Sequence, residues 1–130
     1  MERISESTKA TIDHFAPHVC YINTMRNMSV SCDCEGVAAQ PVVTPNIGIV
    51  ASTDILAVDS ASVDLVFALK DEDHADLVKR MTSRHGLRQL AYMKELGMGN
   101  DRYILIDIDN GDERICPKAA VKDVVPFKAD

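Results

Sequence analysis

The sequence has no tryptophan and only three phenylalanines and three tyrosines among 130 residues, so it lacks the aromatic platforms on which single-stranded bases stack. It has no basic patch either. Fourteen Lys and Arg stand against twenty Asp and Glu, for a formal net charge of -6 at pH 7, and no long segment is positive. Binding to a phosphate backbone needs clustered cations that release counterions, so neither nucleic acid nor an anionic membrane is an expected partner. No apolar run approaches the roughly 18 residues that span a bilayer, and the first residues lack the charged and apolar regions of a signal peptide. The expectation is a soluble cytoplasmic protein. Also missing are a glycine-rich phosphate loop, a nucleophile elbow and an H-E-x-x-H pair.

What is present is ordinary globular composition, 46% hydrophobic and 26% charged, which excludes collagen-like, low-complexity and wholly disordered chains. This length predicts one domain that buries roughly two-thirds of its unfolded surface around an aliphatic core. We place that domain at 1–118, with a long Cys-containing loop at 23–46 and a C-terminal tail at 119–130. Ile4, Thr8, Ile12 and Phe15 share one face of a first helix over 2–16, which Pro17 stops. A short strand follows at 18–22. The 23–46 stretch holds no steady periodicity, yet its Met25, Met28, Val30, Val37, Val42 and Val43 argue against disorder. A loop beyond about 12 to 15 residues in a compact domain is usually functional.

Residues 47–51 read as a buried strand, and Ser52, Thr53 and Asp54 offer N-caps for a nearly all-round apolar helix over 55–69. Asp71 can cap a second helix, with His74 as a solvated residue on it; His85 is read the same way. A third helix runs 87–96 and is ended by Gly97-Met98-Gly99. A strand at 103–106 then meets an Asn110-Gly111 hairpin signal. That turn places Asp107 opposite Arg114 and Ile106 opposite Ile115. The order of elements predicts an α/β fold: a small, mostly parallel sheet with flanking helices and a C-terminal hairpin.

Four cysteines, Cys20, Cys32, Cys34 and Cys116, are expected to be reduced thiols in the absence of an export signal. In extended backbone Cys32 and Cys34 point to the same side, with Asp33 away from them, so two thiolates reach one point. That is half of a zinc or iron-sulfur site, which normally takes four protein ligands; Cys20, Cys116, His14, His18 and nearby carboxylates are the remaining donors. A redox dithiol or plain structural thiols are the alternatives. Cys20 reads as a small core residue of its strand. Pro17 separates His14 from His18, against a helical ligand pair. Asp54, just past a strand end, and Asp59, on an apolar helix, are candidate acid-base residues; an N-cap and a hydrogen-bonded buried acid are the structural alternatives. The stretch 107–112 suggests a calcium loop, but its glycine is one place early and the closing Glu is missing.

Three pieces, Tyr21-Ile22-Asn23 leading to Cys32-Asp33-Cys34, then residues 46–54, then Ala57-Val58-Asp59 through Leu65, together resemble the domain-of-unknown-function 362 family, whose members are often labelled iron-sulfur centre proteins. Gln89-Leu90-Ala91-Tyr92 through Gly99 is similar to that family's closing helix and turn. The resemblance spans about residues 2–107. It implies that Cys32, Asp33, Cys34, Asp54 and Asp59 form the site region. It also implies that this chain corresponds to the C-terminal portion of longer family members, so that layers covering the sheet are absent and a homodimer or a companion subunit is expected. The leading functional expectation is a module binding zinc or an iron-sulfur centre, with Cys32, Cys34 and Asp33 as ligands. The alternatives are an enzyme using Asp54 and Asp59 on a small substrate, or a structural subunit without activity of its own.

Overall fold

A computed structural model describes residues 2–31 and 33–128, with the backbone alone for Asp33 and Cys34. The elements in chain order are α1 (Glu2–Phe15), β1 (Tyr21–Met25), a 3-10 helix (Asp33–Ala38), β2 (Gly48–Ser52), α2 (Ile55–Ala68), α3 (Asp71–Ser83), α4 (Leu87–Glu95), β3 (Leu105–Asp107), β4 (Glu113–Ile115) and the short α5 (Pro117–Ala120).

The expected mostly parallel sheet is overturned. The described strands form two antiparallel pairs, β1 with β2 and β3 with β4, and no parallel ladder. The reason lies in the connection between β1 and β2. A parallel return needs a crossover, usually helical, whereas residues 26–47 carry only the 3-10 helix, so the chain folds straight back. β1 also lies three residues later than its apolar run suggests. In the observed register Tyr21 faces Ser52, Asn23 faces Val50 and Met25 faces Gly48. Those six residues form the face turned toward α2, and Ile22, Thr24, Ile49 and Ala51 form the other, exposed face.

α2 is the central helix. It packs on β1, β2, α3, α4 and α5, which accounts for its nearly all-round apolar sequence. Leu65 and Val66 join Met25, Leu69 and Val121 in the core cluster. Burying each such side chain contributes roughly 1.5–3 kcal/mol. α1 behaves differently from its sequence pattern: Thr8 and Ile12 are half-buried, Ile4 and Phe15 stay exposed, and Ser5 is the buried residue. Polar contacts fasten it instead. Arg88 on α4 donates to Glu2 at 2.6 Å and to Glu95 at 2.7 Å, and the Tyr92 hydroxyl donates to Glu6 at 2.9 Å.

α3 begins with Asp71, Glu72 and Asp73, three acids suited to the positive end of its dipole. His74, expected in solvent, is buried, with Nε2 4.0 Å from Asp71. It shares the inward stripe of Leu77, Val78 and Met81, at i+3, i+4 and i+7.

The C-terminal hairpin is present but slipped by one residue. Leu105 faces Ile115, Ile106 faces Arg114 and Asp107 faces Glu113. The carboxylate of Asp107 accepts from the Asp109 backbone N–H at 3.1 Å and from the Asn110 side-chain amide at 2.7 Å. That closes an Asx turn and starts the loop early. Positive φ then falls on Gly111 and Asp112, one place beyond the two-residue turn expected at Asn110-Gly111.

Candidate functional site

The end of β2 delivers Asp54 to the first turn of α2. Its Oδ1 accepts from the Ala57 N–H at 2.9 Å as the N-cap. Its Oδ2 accepts from the Asn100 N–H at 2.9 Å, tying α2 to the turn after α4. Gly99 lies against the same carboxylate, and any Cβ there would collide with it. The backbone N–H of Asp54 itself donates to Ser52 Oγ at 3.0 Å. Tyr21 on the neighbouring strand has its phenol pKa raised, first by burial and then by the charge of Asp54.

One turn and a half further along α2, Asp59 accepts from the Asn23 side-chain amide of β1 at 2.8 Å. The same nitrogen reaches Ser62 Oγ at 2.9 Å, and the Ser62 hydroxyl donates to the Val58 carbonyl at 2.7 Å. Asp64 then accepts from the Tyr103 hydroxyl at 2.6 Å. Burial, followed by this hydrogen bond and the carboxylate charge, holds the Tyr103 phenol well above its usual pKa.

Three acids five residues apart on one helix therefore fasten three other segments to it. Asp54 holds the 99–100 turn, Asp59 holds β1, and Asp64 holds the chain entering β3. Both candidate carboxylates are engaged, Asp54 by two backbone donors and Asp59 by an amide. Asn23, Ser62, Asp64, Gly99 and Tyr103 had not been singled out as chemistry-bearing residues. A signal for four of the five existed nonetheless: Asn23, Ser62, Asp64 and Gly99 lie in the stretches that carry the family resemblance.

The cysteine reading is placed differently. Cys32 lies outside the described residues, as do the side chains of Asp33 and Cys34. The backbone from Asp33 begins a 3-10 helix, so this stretch does not follow the alternation an extended chain would impose. Cys20, expected in the core, is exposed, and Cys116 is an exposed free thiol as well. Cys20 lies just ahead of β1, outside the ladder that would have buried it. His14 and His18 are both exposed, and the His14 ring packs edge-on against Phe15 at 4.9 Å between centroids. Among the described residues no group of three or more His, Cys, Asp or Glu is placed to hold a metal ion. The 26–47 connection is braced internally, Gln40 N–H donating to Ser31 Oγ at 2.8 Å and Asn27 N–H to Asn46 Oδ1 at 2.8 Å, and it meets the body where Arg80 of α3 lies 3.7 Å from Glu35. A polar cavity of about 460 Å³ separates the loop from α3, lined by Ser31, Glu35, Lys79 and Arg80 among others. No described helix is long and apolar enough to cross a membrane.

Residues 1–64 match the family model described as Domain of unknown function (DUF362). That stretch holds α1, β1, the 26–47 connection, β2 and most of α2, and the match is to the same family that the motifs resemble. The match includes Asn23, Cys32, Cys34, Asp54 and Asp59, and it ends before the 89–99 stretch. No curated protein and no solved structure matches the chain.

Proposed function

We propose that this chain is an assembly subunit whose half-covered sheet packs against the same sheet of a second copy. The observation that carries the reading is the outer face of the strands. Ile22 and Ile49 are 64% and 68% exposed on β1 and β2, and Ile104, Ile106 and Ile108, alternating along the β3 segment, are 60%, 50% and 79% exposed. An apolar sheet face of this kind is ordinarily covered.

The total area argues the same way. The chain exposes 8925 Å², whereas a folded monomer of 14.3 kDa is expected to expose about 6,800 Å². The excess, roughly 2,000 Å², exceeds the approximately 800 Å² that each partner gives to a standard interface. Light scattering at high micromolar concentration tests this: the parent is expected to run as a dimer and the Ile22→Lys, Ile49→Lys variant as a monomer. A parent that stays monomeric overturns the reading.

A second reading concerns the thiols. The C-x-C spacing at Cys32 and Cys34 supports a thiolate half-site for zinc or an iron-sulfur centre. Metal analysis and thiol titration on protein purified without oxygen test it. Stoichiometric metal lost in Cys32→Ser, Cys34→Ser would support it; absent metal with both thiols freely alkylated would dispose of it.

A further inference from the structure

We infer that the cleft between β2 and β3 is an acceptor for one extended polypeptide segment, which would join the two described sheets into one. This inference rests on the reading of the chain as an incomplete assembly subunit, and it names a second partner, lying in the plane of the sheet rather than across its face.

The cleft holds about 1100 Å³. One wall is β2, from Gly48 to Ser52, and the other runs from Tyr103 through β3 to Ile108. Each of these strands pairs on one side only, β2 with β1 and β3 with β4, and among the described residues neither has a partner on the side facing the cleft. Backbone N–H and C=O groups on two facing edges form a template that a single inserted strand satisfies on both sides at once. Ala57, Val58 and Ala61 of α2 also line the cleft, small and apolar beneath the space a strand would fill. Their size leaves room for β-branched side chains on the inward face.

The occupant is a foreign segment rather than a second copy. All four described strands of this chain are already paired, so a second copy inserting one of them would have to break an existing pair, and edge-to-edge pairing of two β2 strands would leave β3 unpaired. Charge narrows it further. Asp109 and Asp112 line the cleft against a single Arg26, which favours a segment carrying a basic residue. The predicted ligand is an alternating apolar, β-branched stretch with a Lys or Arg near one end.

The test uses the full chain and a capped peptide, Lys-Val-Thr-Val-Thr-Val-Lys, followed by amide hydrogen exchange. Saturable binding is expected, with new protection confined to residues 48–52 and 104–107. Methylating alternate peptide nitrogens removes the backbone donors along one edge of the inserted strand and is expected to weaken binding about tenfold or more. Replacing both lysines by glutamate is expected to weaken it several-fold. Ala57→Leu, which fills the floor without touching a strand, is expected to abolish binding while the circular dichroism spectrum and melting temperature hold.

Unchanged binding of the N-methylated peptide, or peptide binding without protection in β2 and β3, overturns the inference. Light scattering on the same samples separates it from the proposal above. A parent that dimerises but never takes the peptide loses only strand insertion, and a monomer that takes the peptide loses only face-to-face association.

Discussion

The side-chain amide of Asn23 donates to the carboxylate of Asp59 across 2.8 Å, and this pair joins β1 to α2 at the centre of the described fold. Both partners are half-buried, so losing one leaves the other desolvated without its match. Asn23→Ala and Asp59→Ala are each expected to cost about 1–3 kcal/mol. A double-mutant cycle by denaturant unfolding is expected to show coupling of at least about 0.5 kcal/mol. Additive losses would mean the pair does not hold β1 to the helix.

Asp54 and Gly99 form the second fastening. Asp54→Ala removes an N-cap, expected to cost about 0.5–2 kcal/mol, and releases the Asn100 N–H as well. Gly99→Ala introduces a Cβ into the Asp54 carboxylate at a φ of 150°, which is expected to lower the melting temperature. In the double variant the collision has gone, so the two losses are expected to add to less than their sum.

Tyr103 gives a pH dependence with a definite sign. Its folded pKa lies above the ordinary tyrosine value of 10.0, raised first by burial and then by the hydrogen bond to Asp64 and its charge. The unfolded chain therefore ionises first. The stability this group contributes is fully present below pH 10, and is lost as pH rises from there toward the folded value. Tyr21 and Tyr92 are raised in the same direction, so Tyr103→Phe is expected to flatten part of the alkaline fall, measured by urea midpoints from pH 8 to 11.

Leu65 and Ile49 separate the core from the uncovered face. Leu65 is 4% exposed in the core cluster, and Leu65→Ala is expected to cost about 2–5 kcal/mol. Ile49→Thr, on the open face, is expected to change the stability of the single chain by no more than about 0.5 kcal/mol while weakening self-association.

Much of the helical layout was legible in the amino acids. Pro17 stops α1, Asp54 caps α2, and Gly97, at a φ of 66°, follows the end of α4, whereas Asp71, expected as the cap of α3, is its first helical residue behind an N-cap Lys70 that makes no side-chain cap bond. Strand pairing was not legible, because periodicity reports which residues are buried and says nothing of which edge meets which. The 23–46 stretch showed no steady periodicity, but which edge of β1 the returning strand takes is set by contacts across the sheet. The hairpin slipped by one residue because a side chain, Asp107, outcompeted the turn preference of Asn110-Gly111. The roles of Asp54 and Asp59 depended on partners 46 and 36 residues away along the chain.

The amino-acid sequence by itself determined the four longer helices, the match of residues 1–64 to a family model and the positions of the acids along α2. These depend on local propensity, capping and spacing, which act over a few residues. Only the tertiary structure decided that β1 and β2 run antiparallel, that the acids on α2 act as fasteners, and that an apolar sheet face and the cleft between β2 and β3 lie open. Each of those depends on contacts between residues far apart in the chain, whose geometry no local preference encodes.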